Sequence, residues 1–252
     1  MGFITSKISG IKRRLKCYKY GITYLKSSDF AIPSRIKVNG HHLDLQFNGK
    51  NTGAFGYEFT EICINDCYHL KDLRRQLGKV NTVVDIGANQ GLFILAARQN
   101  YVDAVIHCYE PNYNLKGVLD VNAGLLNVNC YFEAVTQQDC WVELNFTDSD
   151  LETTAKVAQQ GNVKGTSFAT VIERAGGAID VLKMDCEGAE WPLLEQKDLF
   201  KNIRSITMEY HLWANPGITL PQLISNLKQM GYSLVANSPI TESFGLLTVA
   251  RR

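Results

Sequence analysis

Acidic side chains follow four apolar segments of this chain, at the point where each segment ends. Asp85 follows VNTVV, Glu110 follows AVIHCY, Asp185 follows IDVLKM, and Glu209 and His211 end SITMEYH. Carboxylates can bind hydroxyl groups or cations, and imidazole titrates near neutral pH. Ligands of open α/β sheets bind at the carboxyl ends of the strands, so the pattern predicts one functional site at that edge.

The segment VVDIGANQG places Asp85 before a turn that contains Gly87, Asn89 and Gly91. Glycine lets the backbone adopt positive φ and pass close to a ligand, and asparagine tolerates the left-handed region better than most residues. The spacing is not the G-x-G-x-x-G of dinucleotide-binding proteins, and the Asp85 carboxylate would repel a pyrophosphate. These four residues therefore predict a turn that binds a ligand with a positively charged group.

Glu110 ends the second strand, where a carboxylate can accept both hydrogen bonds of a ribose diol. An adenosine compound with a cationic tail fits both acids, whereas a nicotinamide dinucleotide fits only Glu110. In the alternative interpretation, Asp85 caps the following helix and the glycines only permit a tight turn. That alternative leaves Glu110 and the later acids unexplained.

Asp185, Glu209 and His211 are the candidate catalytic residues, on two neighbouring strand ends. An imidazole has an ordinary pKa of about 6.5, which favours His211 as a general base that takes a proton from a substrate hydroxyl. Alternatively, Asp185 and Glu209 hold Mg²⁺ together with water and substrate oxygens. A third interpretation is that His211 is only a packed, hydrogen-bonded residue. The sequence leaves all three open.

Residues 80–252 alternate short β-branched segments with helical segments. The predicted strands include VNTVVDIGA, AVIHCYEP, NCYFEAV, IDVLKMDC and SITMEYH, and IDVLKMDC is expected to be apolar throughout. This α/β pattern predicts a doubly wound, mostly parallel, seven-stranded Rossmann-like sheet, with YSLVAN and LLTVAR as a hairpin at one edge. WVELNFT is expected to be a partner or an extension of the sheet, and residues 148–166 are expected to form a polar loop.

Residues 1–79 are expected to form a separate N-terminal region, a lid or substrate-binding unit, before the ligand-binding domain of residues 80–252. Alternation on both sides of Asn39-Gly40 predicts a β-hairpin, and residues 57–78 are predicted to form one helix that stops at Gly78. Residues 1–28 carry seven Lys or Arg side chains and no acid, which predicts a basic helix. That helix either lies solvated on the domain or contacts a membrane surface or an anionic partner.

Composition excludes several classes of protein. The chain has no run of apolar residues long enough for a spanning helix and no signal-peptide pattern. Its seven cysteines are scattered without a CxxC pair, which argues against a disulfide framework or a zinc site and favours the cytoplasm. Beyond residue 28 acids outnumber basic residues, so nucleic acid is not an expected partner.

The chain resembles the FkbM family of SAM-dependent methyltransferases. The resemblance rests on VVDIGANQGLF, YEPN with the later Asn122, IDVLKMDCEGAEW and a strand that ends in EYH, over about residues 80–211. LKMDCEGAE is the most specific of these stretches. The resemblance implies the class I methyltransferase fold, SAM as the methyl donor, and usually O-methylation of a sugar, glycan or natural-product acceptor.

The same resemblance implies roles for individual residues. Asp85, Gly87, Asn89 and Gly91 would form the SAM loop and Glu110 would contact the ribose, while residues 1–79 and 148–166 would select the acceptor. Two other functions are to be weighed against this one. They are a nicotinamide-dependent oxidoreductase, which the missing third glycine opposes, and a non-catalytic relative that docks on a membrane or a protein complex through residues 1–28.

Overall fold

The computed structural model describes residues 14–22, 32–33, 35–49, 53–146, 153–158 and 161–251. Most of the predicted basic helix of residues 1–28 lies outside these ranges, and only residues 14–19 are seen as helix. Within the described ranges, no helix combines the length and apolar character that crossing a membrane requires.

The predicted N-terminal hairpin is confirmed. Strands β1 (Ile36–Val38) and β2 (His41–Leu43) pair antiparallel. The two residues between them, Asn39 and Gly40, have φ angles of 49° and 92°. A two-residue hairpin loop needs positive φ at both positions to match the strand twist, and Asn-Gly supplies it at low cost.

The single helix predicted over residues 57–78 is wrong. The chain instead forms α1 (Gly53–Phe59), one π-helical segment (Thr60–Asn65) and α2 (Leu70–Leu77). The break between them is made by Asp66 and His69, which both adopt left-handed conformations. The predicted stop is correct, since Gly78 ends α2 with a φ of 69°.

The remaining strands are named in chain order. They are β3 (Thr82–Ile86), β4 (Val105–Tyr109), β5 (Asn129–Tyr131), β6 (Ala134–Thr136), β7 (Cys140–Phe146), β8 (Thr153–Ala158), β9 (Val163–Ser167), β10 (Val181–Met184), β11 (Ser205–His211), β12 (Ser233–Pro239) and β13 (Phe244–Ala250). The helices that follow α2 are α3 (Leu92–Asn100), α4 (Lys116–Leu126), α5 (Phe168–Arg174), α6 (Glu190–Glu195) and α7 (Leu220–Gln229).

The main sheet has seven strands, in the order β12-β13-β11-β10-β3-β4-β5. The five strands from β11 to β5 run parallel, and β13 and β12 form the predicted antiparallel hairpin at one edge. Successive residues of a strand point to opposite faces of the sheet. In β3, Val83 and Val84 belong to two different buried clusters, so both faces of the sheet are covered. The predicted doubly wound, Rossmann-like α/β fold is confirmed.

Three expectations for residues 129–166 are wrong. NCYFEAV divides into β5, which joins the main sheet, and β6, which does not. Residues 148–166 are not a polar loop throughout, since they contain β8 and most of β9. Strands β6, β9, β7 and β8, in that order, form a second sheet around a small core of Ala134, Val142, Leu144 and Val163. WVELNFT therefore belongs to this second sheet and does not extend the first.

Hydrogen bonds of Asn122 connect the N-terminal region to the turn after β3. This residue of α4 is fully buried, and its amide nitrogen donates to the carbonyl oxygens of Gln46 at 2.6 Å and Gln90 at 2.9 Å. Its amide oxygen accepts the backbone N–H of Gln46 at 2.8 Å. Asn122 therefore holds three chain segments in register from one buried side chain.

Replacing Asn122 by Ala should lower the free energy of unfolding by about 2–3 kcal/mol, because three buried hydrogen bonds lose their partner. Urea unfolding measures this loss. Asn114→Ala, at an exposed position near the start of the same helix, is the control and should change little. Equal stability of the two variants would contradict the structural role of Asn122.

Candidate active site

The turn between β3 and α3 has the backbone geometry that its sequence predicts. Gly87, Asn89 and Gly91 all have positive φ, at 82°, 49° and 93°. The N–H groups of Gly87 and Ala88 both donate to the carbonyl oxygen of Tyr109, at 3.0 and 3.1 Å, which ties the turn to the end of β4. The asparagine thus occupies the left-handed position that the sequence analysis assigned to it.

Gly87 is also required by a close approach to the neighbouring strand end. A Cβ atom at this position would overlap the carbonyl oxygen of Asp185. The backbone N–H of Asp185 donates in turn to the carbonyl of Ile86 at 3.1 Å. The predicted cofactor turn and the predicted catalytic Asp185 are therefore in direct contact.

Glu110 lies at the end of β4 with its carboxylate beside the same turn. One oxygen accepts the N–H of Asn89 and the other accepts the N–H of Asn112, each at 2.8 Å. Burial raises the pKa of Glu110, although these two backbone hydrogen bonds oppose the shift. Each carboxylate oxygen keeps a further lone pair, so the group can still accept hydrogen bonds from a diol.

Asp85 does not occupy the position that the sequence analysis gave it. Its side chain is completely buried and does not line the cavity described below. The cation that faces its carboxylate is Lys183, whose Nζ lies 3.1 Å from Oδ1. Burial raises the pKa of Asp85, and the ammonium group of Lys183 opposes that shift. The expectation that Asp85 faces a cationic ligand is therefore corrected, because an internal lysine takes that place.

Lys183 is a buried charged residue of the site that the apolar reading of IDVLKMDC does not predict. Its Nζ lies between Asp85 and Asp185, 3.6 Å from Oδ2 of the latter, and donates to the carbonyl of Gly87. Burial alone would lower the pKa of Lys183, but the two carboxylates outweigh it and raise the pKa well above its usual range. A lysine two residues before a strand-end acid, on the same face of the strand, was the available signal.

Tyr68 brings the N-terminal region into this arrangement. It lies between the π-helical segment and α2, and its hydroxyl donates to Oδ2 of Asp185 at 3.2 Å. Tyr68 and Lys183 thus both contact the same oxygen, Oδ2, of the Asp185 carboxylate. The break in the predicted helix of residues 57–78 is where this tyrosine lies.

His211 is enclosed by carboxylates. Its Nδ1 lies 3.0 Å from Glu190, and its Nε2 lies 3.5 Å from Glu187 and 3.8 Å from Glu209. Burial would lower the pKa of His211, but Glu190 and the other acids raise it to about 9. An imidazole with this pKa is protonated at neutral pH, so the structure does not support the general-base role inferred from its ordinary value.

The pKa of Glu209 is also raised, which for a carboxyl group favours the neutral form. Burial, followed by the charge of Asp185, raises the pKa of Glu209 to about 7. Neither Glu209 nor His211 lines the cavity, whereas Asp185 does. Of the three predicted catalytic residues, only Asp185 is therefore placed to meet a ligand directly.

Of the two predicted metal ligands, Asp185 belongs to a group of three possible ligands in the described residues, and Glu209 does not. Among the described residues, the ligand atoms that lie within 4.8 Å of one another belong to Asp185, Glu187 and His211. His211 could offer only Nε2, because Nδ1 is bonded to the buried Glu190. Mg²⁺ prefers oxygen ligands, and a charged imidazolium opposes any cation, so this geometry does not favour magnesium.

One cavity of about 680 Å³ opens at the carboxyl ends of the strands. Its wall combines the turn after β3, the end of β4, β6, the start of α6 and the exposed Trp213. Four carboxylates line it, those of Glu110, Glu133, Asp185 and Glu187. Among the described residues, no Lys, Arg or His side chain lines the cavity. The predicted ligand turn and the predicted catalytic Asp185 thus line the same cavity.

Replacing Lys183 by Met should lower the free energy of unfolding by about 3–5 kcal/mol, because it leaves the buried Asp85 carboxylate unpaired. The double variant that also carries Asp85→Asn should recover part of this loss, and urea unfolding of the four proteins gives the coupling. Lys201→Met, in an exposed ion pair, is the control. Purely additive losses would show that the buried pair has no energetic role.

The pKa of His211 predicts a pH-dependent contribution to stability. The folded value of about 9 lies above the ordinary value of about 6.5. The contribution of the imidazolium is therefore complete below about pH 6.5 and is lost as the pH rises through about 9. The stability advantage of the wild type over His211→Gln should shrink across that interval, while His41→Gln, an exposed position, should follow the wild type. An advantage that grows with pH would contradict the arrangement.

Comparison with known proteins identifies the family. A model described as the methyltransferase FkbM domain matches residues 85–234, and no curated protein matches the chain. Similar solved structures include a putative methyltransferase from Escherichia coli, with 13% identity, coverage of 86% of this chain and 99% of that chain, and a TM-score of 0.44. Another is magnesium protoporphyrin IX methyltransferase from Synechocystis PCC 6803 with bound SAM, with 13% identity, coverage of 83% and 87%, and a TM-score of 0.43. Since the family model covers more than half of the sequence, the chain belongs to the FkbM family of methyltransferases.

Proposed function

We propose that this methyltransferase transfers the methyl group of SAM to a hydroxyl oxygen of a sugar, glycan or natural-product acceptor. The observation that carries the proposal is the single cavity that joins the turn of Gly87 and Asn89, and Glu110, to the carboxylates of Asp185 and Glu187. Glu110 would accept the hydrogen bonds of the ribose diol, and the backbone of the turn would bind the amino-acid part of SAM. The remaining cavity would receive the acceptor.

Methyl transfer from a sulfonium needs alignment of the acceptor oxygen and removal of its proton, because the donor is already activated. Asp185 is the candidate base, since it lines the cavity and is held by Tyr68 and Lys183. Glu209 would act as a second proton acceptor beyond it. His211, as an imidazolium, would stabilise the neighbouring carboxylates and would not itself take the proton.

Asp185→Asn should reduce kcat by about 10²–10⁴-fold, the usual contribution of general-base catalysis, and should leave the affinity for SAH nearly unchanged. Transfer of labelled methyl from SAM to a panel of sugars, glycans and hydroxylated natural products measures this effect. Asp139→Asn, a carboxylate that does not line the cavity, is the matched control. Full activity of Asp185→Asn would exclude the proposed base.

The same assay tests the alternatives. EDTA should leave turnover unchanged if the carboxylates act as bases, whereas loss of activity that Mg²⁺ restores would favour the metal hypothesis. Methyl transfer to amines and not to hydroxyls would contradict the proposed O-methylation. A chain that binds SAH but methylates no member of the panel would favour the non-catalytic partner function.

A further inference from the structure

Trp213 is a large apolar side chain that faces the cavity instead of the core. It lies in a short 3₁₀ helix (Leu212–Ala214) that directly follows β11. Its neighbours Leu212 and Ala214 pack against the buried cluster that contains Met208, whereas Trp213 is 51% exposed and lines the cavity. The largest side chain of this segment is therefore the one that is turned away from the core.

The backbone next to Trp213 is held by hydrogen bonds. The N–H of Leu212 donates to the carbonyl oxygen of Ser243 at 2.7 Å. The carbonyl oxygen of His211 accepts the buried indole N–H of Trp191 at 2.9 Å. The exposure of Trp213 is therefore a property of a bonded, packed segment and not of a loop that lacks such contacts.

Two neighbouring residues determine where the indole of Trp213 lies. The imidazole of His211 packs edge-to-face against it, with ring centroids 5.6 Å apart and an angle of 66° between the ring planes. A Cβ atom at Gly188 would lie 3.6 Å from Cη2 and 3.8 Å from Cζ3 of the indole, so the six-membered ring lies beside Gly188. Gly188 follows Asp185 by three residues, and both line the cavity. The indole therefore adjoins the segment that carries the proposed base.

Trp213 lies on the side of the cavity away from Glu110. Trp213 follows β11 and Glu110 follows β4, and these two strands are separated in the sheet by β10 and β3. Neighbouring strands lie about 4.8 Å apart, so the ends of β11 and β4 are about 14 Å from each other. Asp185, at the end of β10, lies between them. If the ribose of the donor binds at Glu110, the indole is left to the acceptor.

An aromatic face beside a carboxylate suits one class of acceptor. Aromatic rings bury large apolar surfaces, and a carboxylate accepts hydrogen bonds from hydroxyl groups. A sugar ring presents both kinds of surface, because its C–H groups form an apolar face and its hydroxyls lie around the edge. An open-chain polyol has the same hydroxyls without the face. The pairing of Trp213 with Asp185 therefore favours a cyclic carbohydrate.

We propose that Trp213 is the residue that selects the acceptor, because its indole packs against the C–H face of a sugar ring while a hydroxyl of that ring reaches Asp185. This inference rests on the proposed function, since it takes SAM to occupy the side of the cavity next to Glu110. It narrows the acceptor from hydroxyl compounds in general to sugar rings, either free or as part of a glycan.

Calorimetric titration of the SAH-saturated protein tests the inference without turnover. The probes are the methyl glycosides of glucose, galactose and mannose, together with the open-chain alditols of the same three sugars. The wild type should bind at least one glycoside and bind its alditol more weakly. Trp213→Ala should weaken binding of that glycoside about tenfold, whereas Trp213→Phe, which keeps an aromatic face, should stay within about threefold of the wild type. Both variants should retain the affinity of the wild type for SAH.

Trp141→Ala is the matched control, because Trp141 is 54% exposed but does not line the cavity. It lies in β7 between two residues that do line the cavity, Cys140 and Val142, so its side chain points to the opposite face of that strand. This variant should bind the glycoside as the wild type does. Thermal melting should show that all the variants are folded.

Three results would overturn the inference. They are unchanged glycoside affinity in Trp213→Ala, a loss of SAH affinity in that variant as large as its loss of glycoside affinity, and failure of the SAH-saturated wild type to bind any of the glycosides. Failure of SAH itself to bind the folded wild type would instead refute the proposed function.

Discussion

The structure of the site depends on one buried ammonium group. Lys183 lies beside Asp85 in the register of two parallel central strands, and its side chain reaches the carbonyl of Gly87 and the carboxylate of Asp185. A buried charge is costly unless it is paired, so these four groups constrain one another's positions. Nζ of Lys183 thereby holds both the turn that would bind the donor and the acid that would act on the acceptor.

A second buried charge arrangement repeats this principle one strand further along. Glu190 holds His211 at the end of β11 and the N–H of Gly188 at the start of α6. It thereby links the segment next to Glu187 with His211 and raises the pKa of that imidazole, which would leave His211 a positioning role. In the part of the chain that the structure describes, Lys183 and His211 thus lie behind the cavity while carboxylates line it, an arrangement that would suit a cationic donor.

The structural features that are best predicted from the sequence are those that local interactions determine. The strand, turn and helix around Gly87, Asn89 and Gly91 follow from conformational preferences, and the parallel sheet follows from alternating apolar strands and helices. Residues 129–166 were wrongly assigned because the pairing of short strands into a second sheet depends on distant partners. The prediction of one helix over residues 57–78 is wrong because Asp66 and His69 adopt left-handed conformations. Neither position has a glycine that would have predicted such a conformation. Lys183 is not predicted when IDVLKMDC is taken as apolar throughout, and the role of His211 is not predicted because its pKa depends on neighbours that only the fold brings together.

The central claim is that the cavity between Glu110 and Asp185 binds the adenosine and amino-acid parts of SAM. Calorimetric titration of SAH into the wild type and into Glu110→Gln, with NADH as the control ligand, tests it most directly. The account predicts that SAH binds the wild type, that Glu110→Gln binds it more weakly because the ribose diol loses a charged acceptor, and that NADH does not bind. Binding of NADH in preference to SAH, or equal affinity of the two proteins for SAH, would contradict it.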